Sequence, residues 1–146
     1  MNIYISNKQQ SISIDKAQMK NIIKALARLH QIHFDEISIN FVTENKIKAL
    51  HKSLFNDPSI TDCITCPIDK PNLKPYCMLG EVFVCPAVAE QYATEHKIDH
   101  LKELILYVIH GFLHLIGYDD MNADDLEVMQ EKEKESLEFL HKEGLC

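Results

Sequence analysis

A chain of 146 residues can form one domain with a buried core, and a hydrophobic content of 46% is ordinary for a globular protein. A formal charge of −7 at pH 7, with Arg28 the sole arginine, argues against broad nucleic-acid binding through total charge. No apolar run approaches the ~18–20 residues of a membrane span, and MNIYISNKQQSISI lacks the apolar stretch of a signal peptide; a cytoplasmic protein without membrane attachment is expected.

Asn2 to Asn7 alternates and suits a strand, and Ser11 to Ile14 suits a second short strand or a continuation. Asp15 can cap a helix running to about His30, because Met19, Ile22, Ile23, Leu26 and Leu29 follow the helical period. Glu36 to Thr43 reads as a strand, and a helix from about Glu44 to Phe55 carries Ile47, Leu50 and Leu54 on one side. Asn56-Asp57-Pro58-Ser59 is a loop by composition. Strands follow at Ile64 to Ile68 and Leu79 to Cys85, joined by a stretch holding Pro71 and Pro75 that reads as long and mobile.

Pro86 suits the first turn of a helix reaching about Lys97. Leu101 to Ile116 is apolar around much of its circumference, as a buried central helix should be. A last helix spans about Ala123 to His141, with Leu126, Met129, Leu137 and Leu140 inward and its Glu/Lys runs as a solvated face. The order predicts an α+β fold over residues 1–146 as one domain, with a mixed sheet of about four strands packed with helices.

The chemistry concentrates in HGFLHLIGYDD, His110 to Asp120. Residues four apart on a helix share a face, so His110 and His114 can aim at one point. Gly117 permits the helix to end with φ > 0, and the returning chain can bring Asp120 to the same point. Three protein ligands around a divalent ion, with a fourth position free for water, describe a catalytic rather than a structural metal site.

Cys63 and Cys66 form a C-x-x-C pair among Cys77, Cys85 and Cys146. In a strand, positions i and i+3 face opposite sides, which makes a poor chelate; small buried hydrophobes are the better reading. Lysines are the candidate phosphate-binding groups: Lys46, Lys48 and Lys52 on one segment, then Lys70 and Lys74.

With these segments in order, the chain resembles the YbeY family of bacterial metal-dependent endoribonucleases. HGFLHLIGYDD is similar to that family's H-G-x-L-H-L-x-G-Y-D-H signature. Thr61 to Pro67 resembles its P-T-D-V-L-S-F-P strand, and Leu79 to Pro86 its L-G-D-I-V-I-C-P strand. The likeness is firm from about Leu50 onward. It implies an α+β fold, a zinc ion on three side chains, and hydrolysis of single-stranded RNA. It further implies a role in maturing the 3′ end of small-subunit ribosomal RNA and in ribosome quality control. The partners implied are ribosomal RNA, small-subunit proteins and an assembly GTPase.

Two departures stand out. The family's third metal ligand is a histidine, and Asp120 occupies that position. Carboxylate oxygen reaches zinc at ~2.0–2.2 Å, close to imidazole nitrogen, so the substitution is chemically sound. It lowers the site's positive charge and can favour another metal. Adjacent Asp119 is an alternative ligand or a supporting group. The second departure is Phe55, near where the family usually carries Tyr-Arg-Gly; no arginine stands nearby to grip a phosphate, and Lys52 is the nearest substitute. No general base is evident, with Glu81 and Asp119 near only in motif terms. Two alternatives remain: a non-enzymatic ribosome-assembly or RNA-binding factor with a structural metal, and a metalloprotease. Against the protease stands Gly111, where zincin proteases carry their glutamate.

Overall fold

The computed structural model describes residues 1–146, folded as β1 (Asn2–Asn7), α1 (Lys16–Leu29), β2 (Glu36–Phe41), α2 (Glu44–Phe55), β3 (Cys63–Pro67), β4 (Met78–Val84), α3 (Pro86–His96), α4 (His100–Leu115) and α5 (Ala123–Lys142). The architecture is α+β, with one mixed sheet in the order β1-β2-β4-β3. β1 and β4 both run parallel to β2, while β3 pairs antiparallel with β4.

Capping side chains set several boundaries. Asp15 accepts from the Gln18 amide at the start of α1, and Asp99 from the Lys102 amide at the start of α4. Thr43 is not the end of β2. Its hydroxyl accepts from the Lys46 amide and caps α2, so the strand stops at Phe41.

Ser11 to Ile14 is not a strand. Its alternation is genuine, and Ile12 and Ile14 pack against the core. Gln9, however, takes over the local backbone: its Oε1 accepts from the Ser11 and Ile12 amides, and its Nε2 donates to the Ile12 carbonyl. A segment satisfied this way has no need of a sheet neighbour. The β3–β4 connection is also better anchored than its prolines suggest. Asn72 exchanges hydrogen bonds with His33, its amide donating to the His33 carbonyl at 3.0 Å and its Oδ1 accepting from the His33 amide at 2.6 Å. Met78 N donates to Asp69 Oδ2 and Cys77 Sγ to the Lys70 carbonyl.

The main core joins the sheet to α1, α4 and α5 through Phe34, Phe41, Phe112, Met19, Ile37 and Leu79, all fully buried. Deleting one such phenylalanine side chain costs ~3–5 kcal/mol. A smaller cluster of Val42, Ile47, Ile64 and Cys85 draws α2 onto the opposite face, with Cys66 and Phe83 against it. The two cysteines of the C-x-x-C pair therefore part company: Cys63 packs with the main core and Cys66 with the α2 cluster. All five cysteines are free, and burial pushes the Cys63 and Cys66 thiols up, away from the reactive thiolate.

Candidate metal centre

α4 is buried over most of its length because Leu104, Ile105, Val108, Ile109, Phe112 and Leu113 leave it little polar surface. His110 and His114 lie on the stripe that is not sealed, with side chains 25% and 21% exposed. The helix is pressed close to the sheet at Gly111, where a Cβ would stand 2.5 Å from Val82 Cγ1 and 3.1 Å from Cys63 Sγ. The fit fixes the rotation of α4, and with it the direction of the neighbouring imidazole.

Beyond Leu115 the chain reverses. Gly117 has φ +111°, its amide donates to the His114 carbonyl, and the Tyr118 amide donates to the Leu113 carbonyl. This pair of bonds is the Schellman arrangement. It leaves the Tyr118 carbonyl free to accept from His114 Nδ1 at 3.0 Å, and it carries Asp120 back over the helix.

The three side chains converge. His110 Nε2 lies 3.0 Å from His114 Nε2, and Asp120 Oδ2 lies 3.4 Å from the first and 3.6 Å from the second. Ligands arranged tetrahedrally around zinc at ~2.1 Å stand about 3.4 Å from one another. His110 Nδ1 meets Glu133 Oε1 at 3.1 Å. Both Nδ1 atoms thus have acceptors, which makes them N–H donors and leaves a lone pair on each Nε2. Two nitrogen lone pairs and a carboxylate oxygen facing one another at these distances repel unless a cation or proton stands among them. The residues present therefore fit a divalent ion.

The nearby charge is negative as well. The Glu133 hydrogen bond raises His110 above the ordinary histidine range. Burial opposes that shift, and the charges of Glu133, Asp120 and Asp62 reinforce it. Glu133 is the group in contact with the site that sequence reasoning missed. Glu133 belongs to a Glu/Lys run read as wholly solvated, yet its side chain is only 17% exposed. A signal was present: Glu133 falls on the helical stripe of Met129, Ser136 and Leu140, the buried face of α5. Asp119 is not brought into the cluster, because its Oδ1 accepts from the Asp120 amide at 2.7 Å and braces the loop instead. Glu81 stands between Gly80 and Val82, which face α4, so strand alternation puts it on the opposite side of the sheet. A cavity of about 820 Å³ between α4 and α5 includes Glu133 in its lining but none of the three converging residues.

Two imidazoles and a carboxylate with an accessible pole, held by a buried helix and its reversing turn, form a set of donor groups that could hold one divalent ion. The profile of the family described as Endoribonuclease YbeY matches residues 4–141, and the chain belongs to that family. Endoribonuclease YbeY of Protochlamydia amoebophila is 41% identical over 140 residues, spanning 96% of this chain and 93% of the relative. The protein of that name from Chlamydia trachomatis serovar L2 is 39% identical, spanning 94% and 87%. A solution structure of a Thermotoga maritima protein superposes with a TM-score of 0.69 at 28% identity, covering 97% of this chain and 91% of that one.

Proposed function

We propose that this chain is a metal-dependent endoribonuclease that cuts single-stranded RNA, with His110, His114 and Asp120 holding one divalent ion, zinc by preference. The convergence of three ligand atoms at 3.0, 3.4 and 3.6 Å, with both Nδ1 atoms already committed, carries the reading. The chemistry supplied by such an ion is that of a Lewis acid, acidifying water and offsetting charge on a phosphodiester oxygen. The protein's part is to hold both imidazoles in one tautomer and to keep a pole of the site open to the strand. Exposed Lys46, Lys48 and Lys52 on α2 supply cations for the phosphates of the RNA. Within this reading the substrate is ribosomal RNA, cut at the 3′ end of the small-subunit species in the cytoplasm. The contacts are small-subunit proteins and an assembly GTPase. No helix is long and apolar enough to cross a membrane.

The test pairs elemental analysis with cleavage of a labelled single-stranded RNA for the wild type, His110→Ala and His114→Ala. About one equivalent of metal and multiple turnover in the wild type, both lost in each variant, is the expected result. Full cleavage by the metal-free variants would end the reading.

One observation favours a second reading, an RNA-binding assembly factor with a structural metal. Phe55 is 58% exposed at the end of α2, near where the family's loop carries its arginine. Bound metal and RNA binding without cleavage would support it. The protease reading loses ground at Gly111, where no side chain fits against Val82, so the glutamate of a zincin has no place to stand.

A further inference from the structure

Glu133 lies in the middle of α5, remote in sequence from the histidine motif, and its one ion-pair contact is His110. It has cationic neighbours, since Lys132 and Lys134 flank it in sequence. Lys132 instead pairs with Glu135 at 3.2 Å, on the outer side of the helix. Glu133 is turned inward, its Oε1 3.1 Å from His110 Nδ1. The two nitrogens of an imidazole sit on different edges of the ring, so a group bound at Nδ1 is not itself a ligand at the point where Nε2 converges. A carboxylate in that position accepts a hydrogen bond from Nδ1–H, fixes the tautomer, locks the ring's rotation and makes the free nitrogen more basic.

The two histidines are braced in different ways. His114 leans on the backbone carbonyl of Tyr118, which belongs to the same turn. His110 has no backbone partner and depends on a side chain from another helix. α5 begins at Ala123, capped by Asn122, which stands two residues after Asp120. One helix thus meets the site twice, through the turn that delivers the carboxylate and through Glu133 about three turns further on.

We propose that Glu133 is the positioning residue of this centre, holding His110 as the Nδ1–H tautomer with Nε2 turned toward Asp120 and thereby setting the site's affinity for a divalent ion. The proposal rests on His110, His114 and Asp120 being the ligands. It extends the site from one helix and its turn to a helix pair, and it separates affinity, set partly by α5, from ligand identity, set by α4.

The experiment compares the full-length wild type, Glu133→Ala, Glu133→Gln and His110→Ala. The first readout is Zn²⁺ affinity by competition with a chromophoric chelator. The second is the ¹⁵N chemical shifts of the imidazole nitrogens in the metal-free protein, which report the tautomer directly. Thermal unfolding checks that each variant folds. The expected result for Glu133→Ala is a 10- to 100-fold weaker Zn²⁺ affinity, with His110 redistributed between tautomers. Glu133→Gln, whose amide oxygen accepts the same hydrogen bond, should keep the wild-type tautomer and recover affinity relative to Glu133→Ala. A folded Glu133→Ala with the wild-type tautomer and affinity would overturn the proposal, as would Glu133→Gln behaving like Glu133→Ala. A wild type whose Zn²⁺ affinity equals that of His110→Ala would remove the metal centre itself. A loss specific to Glu133→Ala distinguishes the positioning role from that wider failure.

Discussion

Gly111 lies so close to Val82 that the two elements touch through backbone on one side and a methyl group on the other: a Cβ on Gly111 would sit 2.5 Å from Val82 Cγ1. The neighbour is a branched side chain in a fully buried strand position, not the tip of a flexible one. Gly111→Ala should therefore destabilise the fold by ~1–3 kcal/mol through overpacking. The double variant Gly111→Ala with Val82→Ala should regain part of the loss. Urea unfolding measures both. A single variant as stable as the wild type would show that α4 can lift from the sheet at little cost.

Gly117 tests the turn rather than the packing. Nothing lies within 4 Å of a Cβ placed there, so the only penalty for a side chain is its φ of +111°. Gly117→Ala should cost ~1–3 kcal/mol of backbone strain. Because Tyr118 and Asp120 are delivered by this turn, metal affinity should fall as well, while Gly144→Ala, at a positive φ in a turn remote from the centre, should lose stability alone. Unfolding and chelator competition on the two variants separate these outcomes.

Much of this arrangement was legible from residue order, for identifiable reasons. α2 could be bounded because Ile47, Leu50 and Leu54 keep the helical period and the loop composition from Asn56 ends it, whereas the capping role of Thr43 was hidden by its place after an alternating strand. The convergence of His110 and His114 follows from helical periodicity alone. Ser11 to Ile14 failed because alternation reports a two-faced segment but not whether a neighbouring strand exists to pair with it. Glu133 escaped for a related reason. It reaches the site through tertiary packing, from the middle of α5, and no spacing within the motif points to it. It had one local cue, its place on the inward stripe of a highly charged helix.

Asp120 carries the family departure and can be tested against the residue it replaces. Oδ2 lies within 3.4 and 3.6 Å of the two Nε2 atoms, close to the span expected of ligands sharing one ion. Asp120→Ala should weaken Zn²⁺ binding by at least tenfold, which corresponds to about 1.4 kcal/mol per factor of ten. Asp120→His should retain one equivalent, since imidazole and carboxylate reach zinc at similar distances. Elemental analysis after dialysis reads both. Retention of metal at wild-type affinity by Asp120→Ala would assign the third position to another group, Asp119 being the nearest in sequence.

The acid limb of stability should carry the mark of His30. Its Nε2 lies 2.9 Å from Ser136 Oγ, and that hydroxyl donates its own proton to the Lys132 carbonyl, so His30 Nε2–H is the donor. Burial lowers its pKa, partly opposed by the charge of Glu135. A depressed histidine pKa means that the unfolded chain binds a proton before the folded one does. This contribution is therefore intact well above the unfolded value of ~6.5 and is lost progressively as pH falls from there to the folded pKa. His30→Gln can keep a donor toward Ser136 but cannot titrate, so the stability difference between wild type and His30→Gln should narrow or reverse between pH 7.5 and pH 5. Urea unfolding at both values is the measurement, with metal removed by chelator so that His110 and His114 are the same in both proteins. A difference that does not move with pH would mean that His30 is not held neutral between α1 and α5.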